Sequence, residues 1–122
     1  MCSCSIAPCT SSSVTLSSAP TTDCCGLEVN GAIGIGAGEF NYPTDVAVGA
    51  KGVLYVADGY NDRIQTFAAD GKFLDKWGGP LAMNIWGPFR GWFATVTALA
   101  VDKDGNVFAA DFYNNLIQKF SL

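Results

Sequence analysis

The chain has 122 residues, 49% of them hydrophobic, with 14 glycines, 11 acidic and 7 basic side chains and a formal net charge of −4. These figures fit one packed domain with many tight turns. They do not fit a nucleic-acid surface or an anionic membrane surface, because both need clustered cations and no basic run occurs. No stretch nears the roughly 18 consecutive apolar residues of a membrane span, and the start lacks the cationic segment and apolar run of an intact signal peptide.

Residues 1–25 read as a separate extended tail. All five cysteines lie there, Cys2, Cys4, Cys9, Cys24 and Cys25. Nine hydroxyl residues crowd the middle: Thr10, Ser11, Ser12, Ser13, Thr15, Ser17, Ser18, Thr21 and Thr22. Such a segment has too little apolar surface to fold alone. Five is odd, so at least one thiol stays free, binds something or pairs with another molecule. The expectation is disulfide linkage between protomers, which implies an oxidising, extracellular or secreted setting. A four-sulfur metal site is the competing reading, although Cys-x-Cys and Cys-Cys are not the usual zinc spacings; an unlinked tail is the third. The hydroxyl run beside Pro20 resembles an O-glycosylated stalk, and no Asn-x-Ser/Thr sequon occurs in the chain.

Residues 26–122 form the second unit. Its first stretch, 26–34, alternates Leu27 and Val29 with Glu28 and Asn30 and is expected to be a strand, with Leu27, Val29 and Ile33 as its assembly residues. Next come "DVAV" (Asp45 to Val48), a glycine-bounded turn, "VLYVAD" (Val53 to Asp58), "GYND", "RIQTF" (Arg63 to Phe67), an Asp-Gly hairpin turn and "KFLDKW" (Lys72 to Trp77). Each run is short and β-rich, so four antiparallel strands are expected. The stretch between Gly78 and Gly91 carries Pro80 and Pro88 and reads as a long loop. Its aromatics Trp86, Phe89 and Trp92 either pack on a neighbouring layer or present a contact surface to a partner or a sugar ring.

The pattern then returns. Gly38–Phe67 aligns without gaps on Gly91–Phe120 at an offset of 53, with 13 of 30 positions identical. A fixed-period repeat is the signature of an array, propeller or solenoid. Asp58 and Asp111 fall at equivalent places, followed by Asn61 and Asn114. Two roles suit them: bonding the turn backbone, the expected one, or lining an oxygen-rich cation site.

"GAGEFNYPTDVAVGAKGVLYVADGYNDRIQTFAADGKFLDKWG" resembles the NHL repeat, through Gly38, Phe40, Pro43, Gly52, Tyr55–Asp58, Asn61, Arg63–Gln65, Phe67 and the closing Trp77-Gly78. In the second copy, Val96 replaces Pro43 and Leu116 replaces Arg63. The resemblance implies an all-β fold of β-propeller blades, two four-stranded antiparallel blades per chain, with the propeller completed or extended by oligomerisation. Blade 1 spans about 38–78. Blade 2 spans about 91–122 plus the strand 26–34, taken from the same or a neighbouring chain, because the second copy reaches only its third strand. The family includes enzymes that use metal and histidine, but this chain has no histidine. That removes the commonest general base.

No catalytic residue, metal ligand or cofactor is therefore assigned, and the chain is not expected to be an enzyme. Two blades are too few to close a ring. The leading expectation is a structural protein that binds itself head to tail as a ring or filament outside the cell, its tail crosslinking or decorating the assembly. The alternative is an oligomeric binding module for a glycan or peptide, or a fragment of a longer propeller.

Overall fold

The computed structural model describes residues 32–79, 87 and 89–122. The tail cysteines, the hydroxyl run, Leu27, Val29 and Trp86 lie outside the described residues. The described residues form two antiparallel sheets. The first contains β1 (Pro43–Val48), β2 (Leu54–Asp58), β3 (Arg63–Phe67) and β4 (Phe73–Gly78), in that spatial order. The second contains β5 (Val96–Val101), β6 (Val107–Asp111) and β7 (Leu116–Phe120), also in chain order. The expected four strands are thus present in the first sheet, and the second has three among the described residues.

The repeat carries over into details of register. β1 begins at Pro43, two residues before the expected start at Asp45, because a first strand position needs no ladder donor from proline. The pairing slips between Pro43 and Asp45 and again between Val96 and Ala98, the equivalent place in the second sheet. The β1–β2 and β5–β6 turns close on Gly52 (φ 74°) and Gly105 (φ 85°), left-handed positions that favour glycine.

The core lies between the sheets. Ala57 and Ile64 pair across β2 and β3, and Ile64 pairs with Trp77 on β4, so alternation puts these three with Tyr55 on one face. That face packs on Val96, Leu99, Ala109 and Phe120 of the second sheet, with Phe93 between. Trp77 and Phe93 each meet the Phe120 ring at 5.7 Å between centroids. The other face of the first sheet is covered by its own approach loop, residues 34–41, through a Phe40–Phe67 contact at 5.7 Å. Phe93 on Phe120 repeats that contact one period later.

Candidate blade-docking surface

Each sheet is built around one carboxylate. Asp58, at the end of β2, accepts from Asn41 N–H (2.7 Å), Asn61 Nδ2 (2.8 Å), Arg63 Nε (2.8 Å) and Gln65 Nε2 (3.2 Å). Asp111 accepts from Ala94 N–H (2.8 Å), Asn114 Nδ2 (2.9 Å) and Gln118 Nε2 (2.9 Å). The same side chains seize the approach loops: Asn61 donates to Gly34 O and Asn114 to Gly87 O, both at 2.7 Å. Gln65 Oε1 accepts from Gly38 N–H and Gln118 Oε1 from Gly91 N–H, both at 2.9 Å. The recurring Asp and Asn are thus placed where their polar atoms tie loop backbone to sheet.

Arg63 and the two glutamines are partners that reading for acids and turns passed over, although the identity of Gln65 and Gln118 was a visible signal. Arg63 is fully buried with Asp58 and also donates to the carbonyls of Ile35, Gly36 and Glu39. Among the described residues, no group of three or more His, Cys, Asp or Glu is arranged to hold a metal ion.

Where the two sheets meet, polar groups flank the apolar core. Thr44 Oγ1 donates to Val96 O, Leu99 N–H donates to Asp45 Oδ2 (2.7 Å) and Thr95 N–H donates to Asp62 Oδ1 (2.6 Å). Burial pushes the Asp62 carboxyl above its ordinary range; the Thr95 N–H pulls the other way, and the nearby charges of Asp111 and Asp58 add to the rise. Asp62 and Thr95 both have left-handed backbones, and so do their repeat equivalents Asn115 and Tyr42. Because this strain recurs in each repeat, it is a property of the fold rather than of one ligand site. A cavity of about 350 Å³ opens beside the junction, lined by Asp62, Ala94, Thr95, Tyr113 and Asn114.

The outer face of the second sheet repeats the face that the first sheet buries. Ala47, Tyr55, Ala57 and Ile64 correspond to Ala100, Phe108, Ala110 and Ile117, but Ile64 is 0% exposed and Ile117 70%. At the opposite end of the unit, Val46 and Val48 are exposed, whereas their equivalents Leu99 and Val101 are partly covered. The expected contact loop is divided: Phe89 is exposed and lies edge-on to Trp92 at 5.0 Å, while Trp92 is half-buried and its carbonyl accepts from Gln118 Nε2. Ile33, expected in an assembly strand, forms a parallel bridge to Phe40 and leaves its side chain exposed.

β7 has no strand on its outer side among the described residues, whereas its equivalent β3 is flanked by β4. A groove of about 540 Å³ runs there, lined by Arg90, Gly91 and Leu116–Phe120.

Known proteins similar to this chain fall into three groups. Peptidyl-glycine alpha-amidating monooxygenases A and B of Xenopus laevis are each 40% identical to the chain over 84 residues, 66% of this chain. The match spans 9% of the length of those relatives. Among solved structures, virginiamycin B lyase from Staphylococcus aureus aligns with a TM-score of 0.40 and 18% identity, covering 66% of this chain and 27% of that one. Residues 40–67 and 93–120 match the NHL repeat family, one segment in each sheet. The chain thus carries two NHL repeats, one in each antiparallel sheet.

Proposed function

We propose that the chain is a non-catalytic, structural propeller segment that works by docking blade on blade with copies of itself, head to tail, in a ring or filament. The observation that carries this reading is the Ile117 face, which repeats the residue types of the Ile64 face, with Ile64 buried and Ile117 exposed. A sheet face of this composition is stabilised by a covering layer, at about 25 cal/mol per Å² of apolar surface removed from water. The polar flanks suit the same arrangement. Thr97 stands where Thr44 does, and Asn115 where Asp62 does. Ala98 replaces Asp45, yet the N–H it would meet, that of Val46, is already accepted by its own Asp45 Oδ1 at 2.9 Å.

The non-catalytic part of the reading is supported by the repeated carboxylates, whose oxygens are occupied by structural N–H donors. In this reading the protein acts outside the cell, and the Cys/Ser/Thr tail links or decorates the assembly.

Sedimentation velocity over a concentration series tests the proposal. The wild-type chain is expected to associate and Ile117→Asp to remain a folded monomer; a wild-type monomer at all concentrations overturns it. Electron microscopy of the associated material distinguishes rings from filaments.

A second reading is favoured by the 9% coverage of the amidating monooxygenases: the two blades belong to a larger propeller whose other blades lie on the same polypeptide. Detection of the native protein with an antibody against residues 38–67 separates the two. A band near 12.8 kDa after reduction supports the first reading and a much larger one the second.

A further inference from the structure

The outer edge of β7, unpaired among the described residues, can be read for its occupant, because β3 shows what such an edge accepts. In the first sheet, Arg63 faces Gly78, Ile64 faces Trp77, Gln65 faces Lys76 and Thr66 faces Asp75. Glycine is required at 78: a Cβ there would lie 2.5 Å from Asp62 O and 3.0 Å from Arg63 Cα. The strand that fits is therefore Leu74-Asp75-Lys76-Trp77-Gly78: a leucine, an acid, two variable residues and an obligatory glycine. Leu27-Glu28-Val29-Asn30-Gly31 has the same order.

Set on β7 in the β3–β4 register, this segment puts Gly31 opposite Leu116, Asn30 opposite Ile117, Val29 opposite Gln118 and Glu28 opposite Lys119. Lys119 holds the place of Thr66, so the second repeat has gained a cation where an acid would arrive. Its ammonium lies over the Phe108 ring of β6, 5.5 Å from the centroid, a cation–π contact that it would exchange for the incoming carboxylate. Alternation turns Val29 toward the side of Gln118 and Phe120, the side that faces the first sheet.

The segment cannot come from the same chain. Gly31 is bonded to Ala32, whose carbonyl accepts from Phe40 N–H at 3.1 Å. Phe40 in turn packs on Phe67, on the face of the first sheet turned away from the second. One peptide link spans about 3.8 Å, whereas packed sheets lie about 10 Å apart. In a second copy whose first blade covers the Ile117 face, the approach loop from Gly34 would stand where the loop from Gly87 stands within the chain. Its residues 27–31 would then lead in along β7, as β4 leads from β3 toward Gly87.

We propose that Leu27–Gly31 of a second copy adds to the free edge of β7 as its fourth strand, with Glu28 opposite Lys119. The proposal rests on the head-to-tail reading above and adds a strand exchanged between copies. Sedimentation equilibrium of full-length variants tests it, with circular dichroism to verify folding. Lys119→Glu and Glu28→Lys should each weaken association by about fivefold, and the two together should restore it, since opposite-charge cross-strand pairs stabilise and like charges destabilise. Gly31→Val should weaken it by about tenfold or more, through the clash that Gly78 avoids.

Amide hydrogen exchange in β7 should be slow in the wild-type assembly and fast in Gly31→Val. Single charge reversals that associate like wild type, or a double reversal no better than the weaker single one, overturn the strand exchange. If Ile117→Asp abolishes association while all the edge variants leave it intact, strand exchange is wrong and face docking stands. A monomeric wild-type chain overturns both.

Discussion

Ile64 and Ile117 hold the same place in the two repeats, in the third strand and opposite an alanine of the second, Ala57 or Ala110. One is 0% exposed and the other 70%. Their local sequences, strand types and registers with the second strand are alike; the layer stacked on them differs, and so does the flank, since Ile64 faces Trp77 of β4 and β7 has no such neighbour among the described residues. The hubs differ in the opposite sense. Asp58 and Asp111 have the same kind of surroundings, but Arg63 joins only the first, since Leu116 stands in its place. Blade 1 therefore holds its approach loop with a buried ion pair as well as amide side chains, and blade 2 holds its loop with Asn114 and Gln118.

Six substitutions, taken in four steps, sharpen this comparison. The largest effect is expected from Asp58→Ala. It leaves the Arg63 guanidinium buried without its counter-charge and should cost about 3–5 kcal/mol, against about 1–3 kcal/mol for Asp111→Ala, which strands only neutral donors. Urea unfolding monitored by tryptophan fluorescence measures both. If the two losses are equal, the cation does not distinguish the hubs.

Next comes the isoleucine pair. Ile64→Ala removes a side chain from the packed junction and should cost about 2–5 kcal/mol. Ile117→Ala, measured under conditions where the chain is monomeric, should change stability by less than about 0.5 kcal/mol. A large loss from Ile117→Ala in the monomer would mean that its face is covered within the chain.

Gly78→Ala should cost about 1–3 kcal/mol, because the new methyl meets the Asp62 carbonyl and the Arg63 backbone, neither of which can swing aside as a side-chain tip can. Thermal melting would show this. An unchanged midpoint would also remove the steric reason for a glycine in any strand added to β7.

The smallest effect concerns pH. The Asp62 carboxyl is raised above 3.8 in the folded chain, chiefly by burial. The folded state therefore holds that proton more tightly than the unfolded state does. This group's contribution to stability then falls as pH rises from its ordinary value through the raised one, and at neutral pH its ionised form is a net cost. Asp62→Asn can still accept from Thr95 N–H, and asparagine already occupies the equivalent left-handed position 115. The variant should lose that slope and equal or exceed the parent at pH 7 in melting experiments. A steeper pH dependence than wild type would contradict the assigned cause.

Much of the fold was legible in advance because it is local. The 53-residue offset, the short β-rich runs and the glycine-bounded turns identify two repeated sheets without reference to any contact. The repeated Asp and Asn were visible as a pattern, since a side chain that bonds nearby backbone recurs wherever that backbone recurs. The junction acceptors Asp45 and Asp62 were not legible. Each answers an N–H of the other blade, Leu99 or Thr95, and their own equivalents are Ala98 and Asn115. The parallel bridge from Ile33 to Phe40 was not legible either, because it joins two parts of the approach loop.

By itself the sequence determined the strand periodicity, the repeat and the polar hub within each blade, all of which depend on residues whose spacing along the chain sets their geometry. Only the tertiary structure decided which of two equivalent faces is buried, which N–H groups need an acceptor from the neighbouring blade, and which strand edge is unpaired among the described residues. The physical reason is that burial and edge pairing depend on the layer stacked next to a residue, and nothing in the local alternation of side chains specifies that layer.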